Sequence, residues 1–220
     1  MTAETRSAYV PALGYRALTA FYDPVVRLTT REHAFKRGLL DQAAFQAGDA
    51  VLDLGCGSGT LALMALQRTP GLDLTGVDGD PAMLSQARAK AARSGATPRF
   101  DESLAQALPY ENARFDAVMS SLFFHHLDRA SKLLVLLEAR RVLRPGGSLH
   151  VADWGRAANP LMRLAFLGIQ LLDGYVNTAD NVEGCLPELM QEAGFEQARE
   201  TRRYSTVFGT MSLYHARTAS

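Results

Sequence analysis

Apolar positions along this chain fall into short blocks whose spacing alternates between two periods. Ala50-Val51-Leu52-Asp53-Leu54 is an apolar run interrupted by one acid, the pattern of a strand covered on both faces. Residues 60–67 repeat their apolar side chains at helical spacing and stop before Pro70-Gly71. Residues 72–78 read as strand and end in Gly79-Asp80-Pro81, where Asp80 suits an N-cap and Pro81 a first helical position. The spacing then predicts a helix over 83–94 stopped by Gly95, and strands over 97–100 and 115–121. A helix over 130–143 follows, closed by Arg144-Pro145-Gly146-Gly147, and a strand over 148–153. Strand and helix alternating at this pace imply βαβ units and a mostly parallel sheet with helices on both faces.

The flanks differ. Phe21, Val25 and Leu28, then Phe35, Leu39 and Leu40, fall at helical spacing, with Asp23-Pro24 as a start signal, so residues before 48 read as helices. Residues 160–172 form a nearly all-apolar helix pattern broken only by Arg163, Gly168 and Gln170. Asp180 or Asn181 can cap a helix running to Ala193. Residues 195–204 and 206–215 read as a hairpin turned near Ser205, which gives the sheet one antiparallel edge strand near the C-terminus.

Composition narrows the classes. Of 220 residues, 47% are apolar and 21% charged, enough for a full core without metal or disulfide. Lys plus Arg and Asp plus Glu each number 23, and this balance argues against nucleic-acid binding by bulk charge. Cys56 and Cys185 make no CxxC pair and no zinc set with the five histidines, so no metal is expected and a reducing cytoplasm is the expected location. The start of the chain lacks the charged and apolar regions of a signal peptide, and the apolar run at 164–172 is too short to span a bilayer.

The chemistry concentrates in Val51-Leu52-Asp53-Leu54-Gly55-Cys56-Gly57-Ser58-Gly59-Thr60: strand, glycine turn, helix start. Glycines there permit positive φ and close approach of a ligand, and the helix N-terminus favours an anionic group. The plain alternative is a tight turn that holds nothing. The dinucleotide pattern G-x-G-x-x-G is not met, because the glycines fall at 55, 57 and 59 and residue 60 is Thr. One strand later, Asp78 stands where ligands sit in open α/β sheets, and its carboxylate can accept both hydroxyls of a ribose.

Together with Phe115-Asp116-Ala117-Val118 and Leu143-Arg144-Pro145-Gly146-Gly147, these motifs resemble the class I S-adenosylmethionine-dependent methyltransferases, in particular the quinone-biosynthesis C-methyltransferase type. The resemblance covers about 46–154 and implies a Rossmann-like sheet of seven strands in a single domain. Residues 1–47 would then be an N-terminal helical lid, 48–153 the cofactor core, 154–193 a substrate-covering insertion and helix, and 194–220 the C-terminal hairpin. It implies methyl transfer from S-adenosylmethionine, yielding S-adenosylhomocysteine, to a small apolar or aromatic acceptor. No nucleic-acid partner is expected, and the chain would be a monomer or homodimer. Two other outcomes stay open: a cofactor-binding subunit without turnover, and a non-methylating reaction at the same site.

The resemblance also assigns residues. Asp53, Gly55, Cys56, Gly57 and Gly59 would hold the amino-acid end of the cofactor, Asp78 the ribose, and Gly79 and Met83 the adenine. Leu104 and Ala105 would edge that ring; many relatives carry Asp where Leu104 stands, and Asp101 or Glu102 could compensate. Ser120 would face the sulfonium, while Tyr22 and Arg31 could close over the cofactor, Arg31 by pairing with its carboxylate. In Leu122-Phe123-Phe124-His125-His126-Leu127, either histidine could take a proton, His126 slightly ahead, or both could pack or cap. Trp154 either floors a substrate site or closes the core, and Phe166 faces either substrate or protein.

Overall fold

The computed structural model describes residues 31–158, 162–164, 166 and 180–220. Tyr22, the helices expected before residue 31, and most of the apolar segment at 160–172 lie outside the described residues. The elements are α1 (Glu32–Ala43), β1 (Ala50–Leu54), α2 (Thr60–Arg68), β2 (Asp73–Asp78), α3 (Pro81–Ser94), β3 (Arg99–Glu102), β4 (Phe115–Ser121), α4 (Arg129–Val142), β5 (Leu143–Trp154), α5 (Leu186–Glu192), β6 (Glu196–Ser205) and β7 (Thr210–Arg217). A 3-10 turn over Phe124–His126 links β4 to α4.

The strands form one seven-stranded sheet in the order β3-β2-β1-β4-β5-β7-β6. The first five pair in parallel. β7 is the expected antiparallel strand; it lies one place in from the edge, which β6 occupies. Each face of β1 enters a different half of the core. Val51 packs with Phe35 and Leu39 of α1, Leu61 of α2 and Leu84 of α3. Leu52 and Leu54 pack with Val135 and Leu136 of α4 and with Leu189 and Met190 of α5. The all-buried run of β1 thus follows from helices covering both sides.

Two boundaries differ from the periodicity. Leu143 already pairs with Phe115, so the Arg-Pro-Gly-Gly segment lies inside β5 as an irregularity in register, helped by Gly146 at φ 73°. The helix expected up to Ala193 is interrupted where Gly184 takes φ 78°, and resumes as α5. On the outer edge, β6 carries Glu196, Arg199, Glu200, Arg202 and Arg203 and shifts register twice against β7.

Gly59 is required by packing. It sits at φ 75°, and a Cβ there would lie 2.9 Å from the Ala87 Cβ and 3.0 Å from the Phe100 ring. The glycine lets α2 approach α3 and β3. Gly59→Ala should therefore destabilise the protein by about 1–3 kcal/mol, read from urea unfolding midpoints with an unchanged m-value.

Candidate functional site

The parallel strands point their carboxyl ends to one rim, and three aspartates stand along it: Asp53 on β1, Asp78 at the end of β2 and Asp153 on β5. Their surroundings give each a different charge state.

Asp53 is 1% exposed, and its Oδ2 has no hydrogen-bond partner. Burial pushes its carboxyl up to about 7, against the downward pull of Lys36 and the Ala62 amide, with Asp78 adding to the rise. Lys36 belongs to a buried ion pair with Glu32 one helical turn away on α1. Arg31, at the start of that helix, is exposed and makes no ion pair among the described residues. The cation that α1 brings to this end of the site is thus Lys36, which the sequence reading overlooked in favour of Arg31. The i,i+4 spacing of Glu32 and Lys36 was the available signal.

Asp78 is partly exposed. Its Oδ2 accepts from the Gly57 amide at 2.8 Å and its Oδ1 from the Asp80 amide at 2.9 Å. Burial raises its pKa against these bonds. The glycine turn is held from the same strand: the amides of Gly55 and Cys56 both donate to the Val77 carbonyl, at 2.9 and 3.0 Å, and Gly59 N donates to Cys56 O. These amides face acceptors of the protein's own, one of them a carboxylate. The Asp78 carboxylate, which the Gly79 amide also approaches, keeps acceptor capacity beyond its backbone donors, which suits a diol.

The remaining sequence-assigned residues divide. Gly55 holds φ 68° and lies under Phe123, whose ring would be 2.4 Å from a Cβ. Gly57, at φ 50°, has open space at its Cα. Cys56 contributes backbone only, since its thiol is buried against Gly76 and pushed well up by burial. Gly59 acts through packing. Gly79 and Met83 flank Asp78 at the start of α3, with Met83 5% exposed. Leu104 is 44% exposed beside buried Ala105, in the loop that follows β3. Asp101 already bonds Arg99 and the Tyr110 hydroxyl, so it does not replace the missing acid at 104. The Ser120 hydroxyl donates to the Leu54 carbonyl at 2.7 Å and is fully buried, a bond inside the sheet in place of the expected exposure to a ligand.

At the far end of the rim, His125 Nδ1 lies 2.8 Å from Asp153 Oδ1. The Trp154 amide also donates to Oδ1, and the amides of Phe123 and His125 donate to Oδ2. Burial alone would raise Asp153, but His125 and these bonds hold it below the usual carboxylate range. His126 stacks on His125 with ring centroids 3.9 Å apart, and burial with the neighbouring imidazole drives its pKa down to about 3. Asp153 carried the same mark as Asp53 and Asp78, an acid ending an apolar strand, yet the sequence reading gave it no role. Trp154 is 3% exposed and meets Phe166 edge-on at 5.4 Å, so among the described residues this pair closes the core. No group of described residues could hold a metal ion.

Residues 51–147 match the family described as methyltransferase domain. Over those residues this chain is similar to a methyltransferase domain. It is 39% identical over 135 residues to a demethylmenaquinone methyltransferase of Thermus thermophilus, with 60% of each chain covered. It is 32% identical over 134 residues to a ubiquinone/menaquinone biosynthesis C-methyltransferase of Cereibacter sphaeroides, covering 60% of this chain and 53% of that one. The chain thus spans between 53% and 60% of these relatives' length. The fold matches that of the YcgJ protein of Bacillus subtilis, with TM-score 0.69 and 16% identity over 86% of this chain and 99% of that one.

The raised Asp53 pKa fixes a sign. Between its unfolded value near 3.8 and about 7, the native state holds a proton that the unfolded chain has lost. Stability therefore falls as pH rises through that window. The penalty is complete above about 7, on the order of 4 kcal/mol. Asp53→Asn should flatten this fall and stabilise the ligand-free protein at alkaline pH; urea titrations of both proteins across the window measure it.

Proposed function

We propose that this chain transfers a methyl group from S-adenosylmethionine to a small, apolar or aromatic molecule. The observation that carries the reading is the pair of carboxylates around the glycine turn. Asp53 is buried with an unpartnered oxygen, and Asp78 is half-open with acceptor capacity to spare. An ammonium beside Asp53 would restore its charge and fill the orphan site, and a ribose diol suits Asp78. Leu104 would lie along the purine as an apolar edge. These residues fit the cofactor.

When bound, S-adenosylmethionine supplies a methyl group already activated on a sulfonium. The protein's task is then to align the acceptor and exclude water. In this reading the division into lid, core, insertion and hairpin would serve that task, with Tyr22 and Phe166 as the residues expected to cover the site. The quinone-biosynthesis names of the relatives support an aromatic acceptor. Among the described residues no helix is long and apolar enough to cross a membrane.

Calorimetric titration with S-adenosylmethionine and S-adenosylhomocysteine tests the cofactor. Micromolar binding is expected for the wild type. Asp78→Ala should weaken it about 100-fold, the loss of two charge-assisted hydrogen bonds. Folded wild type that binds neither compound would overturn the reading, and turnover without S-adenosylhomocysteine as product would move it to a non-methylating reaction.

A further inference from the structure

We infer that Arg199, His215 and Arg217 form a binding site for a small phosphate monoester, on the face of the sheet that carries α1 and remote from the aspartate rim. The site shares no residue with the cofactor crevice, so its failure and that of the methyl-transfer reading are separate.

Register puts the three side chains together. His150 of β5, His215 of β7 and Arg199 of β6 are direct cross-strand neighbours, and Arg217 lies two residues on from His215, opposite Ser148. The two histidine rings have centroids 5.1 Å apart, which fixes their shared face. The alternate residues Leu149, Tyr214 and Ala216 belong to the other half of the core. α1 reaches this face through Gln42, which donates to the Tyr214 carbonyl at 3.0 Å and to His150 Nδ1 at 3.2 Å. Arg199 and Arg217 are exposed. β7 runs antiparallel to β5, so Arg217 stands at the opposite end of the sheet from Asp153.

The two histidines differ. His150 is buried and saturated: its Nδ1 accepts from Gln42, and its Nε2 lies 3.0 Å from the Ser148 hydroxyl. His215 is half-buried. Its Nδ1 is enclosed without a hydrogen-bond partner, and its Nε2 is the nitrogen left toward solvent. The charged groups around it are Arg217 on its own strand and Arg199 on β6. On β5 it meets His150, which burial keeps neutral, and on α1 the residue packed against the pair is the uncharged Gln42. Burial and the two cations hold His215 below the usual histidine range. Glu196 stands opposite Arg217 in the ladder, but neither arginine makes an ion pair or side-chain hydrogen bond among the described residues.

Like charges directly opposite one another on a sheet repel. Two guanidiniums beside an imidazole, with no carboxylate bonded to any of them, are a cluster that lacks its counter-ion, and an anion removes the repulsion. Arginine's planar fork matches phosphate oxygens. Diagonal cross-strand neighbours are about 7–8 Å apart, a span that two arginine side chains can close on one phosphoryl group. A phosphate monoester offers three oxygens and close to two negative charges, enough for each guanidinium and for His215 Nε2–H. A carboxylate offers two oxygens and one charge.

Calorimetry with glycerol 3-phosphate at low ionic strength tests the site. The wild type should bind with a Kd of about 0.1–1 mM, and acetate at least about tenfold more weakly. Arg199→Gln and Arg217→Gln should each weaken glycerol 3-phosphate about tenfold, whereas Arg93→Gln, which removes the same charge from α3, should not. Histidine NMR gives a second reading. Saturating glycerol 3-phosphate should raise the His215 titration midpoint by about one pH unit, and sodium chloride of equal ionic strength should not. Without ligand, each arginine variant should unfold at a urea concentration no lower than the wild type, because a repulsion has been removed. Should a variant unfold earlier, the His215 titration of the wild type decides. Folded wild type that binds no glycerol 3-phosphate overturns the proposal. Equal losses from Arg93→Gln, equal affinity for acetate, or a His215 shift that chloride reproduces overturn it as well.

Discussion

The end of β2 grips the turn that follows β1, and the site takes its shape from that grip. The Val77 carbonyl accepts two amides of the turn and the Asp78 carboxylate a third. Three residues, Gly55, Cys56 and Gly57, are thereby tied to the end of β2 just before α2 begins. The same contact sets the chemistry of the rim. An internal carboxylate takes up one amide of the turn and keeps further acceptor capacity of its own. A short loop and the end of the neighbouring strand thus build the crevice together.

Along that crevice, burial decides charge. Asp53 and Asp153 are both almost completely enclosed, yet one is pushed toward neutrality and the other is held ionised. The difference is hydrogen bonding. Asp153 receives an imidazole and three amides, whereas Asp53 keeps an orphan oxygen with a lysine acting on it from α1. Enclosure without partners stores free energy that a matching cation can release; enclosure with partners makes a fixed negative point that can orient a neighbour.

How much of this was legible depends on range. The parallel sheet, the order of its elements and the Asp53–Gly59 and Asp78 motifs rest on local patterns of ten residues or fewer, and those patterns survive folding. The hairpin was visible as two strands, but not that β7 would insert beside β5 and leave β6 outside, because alternation does not specify a neighbour. Likewise the meeting of His125 with Asp153 joins residues 28 apart in the chain, and Lys36 reaches Asp53 through helix packing. The packing of Gly59 against Ala87 and Phe100 and the bond from Ser120 to Leu54 likewise join segments far apart in the chain.

The sheet's two borders have a consequence for the molecule in a crowded cell. Open sheet edges invite a second chain to add as another strand. Here one border is β3, four residues long and bearing Arg99, and the other is β6, with its exposed arginines and two breaks in register. Neither offers a long, flat, apolar row of free amides and carbonyls. A newly made chain can therefore expose both borders while its helices are still docking, without templating the growth of an intermolecular sheet.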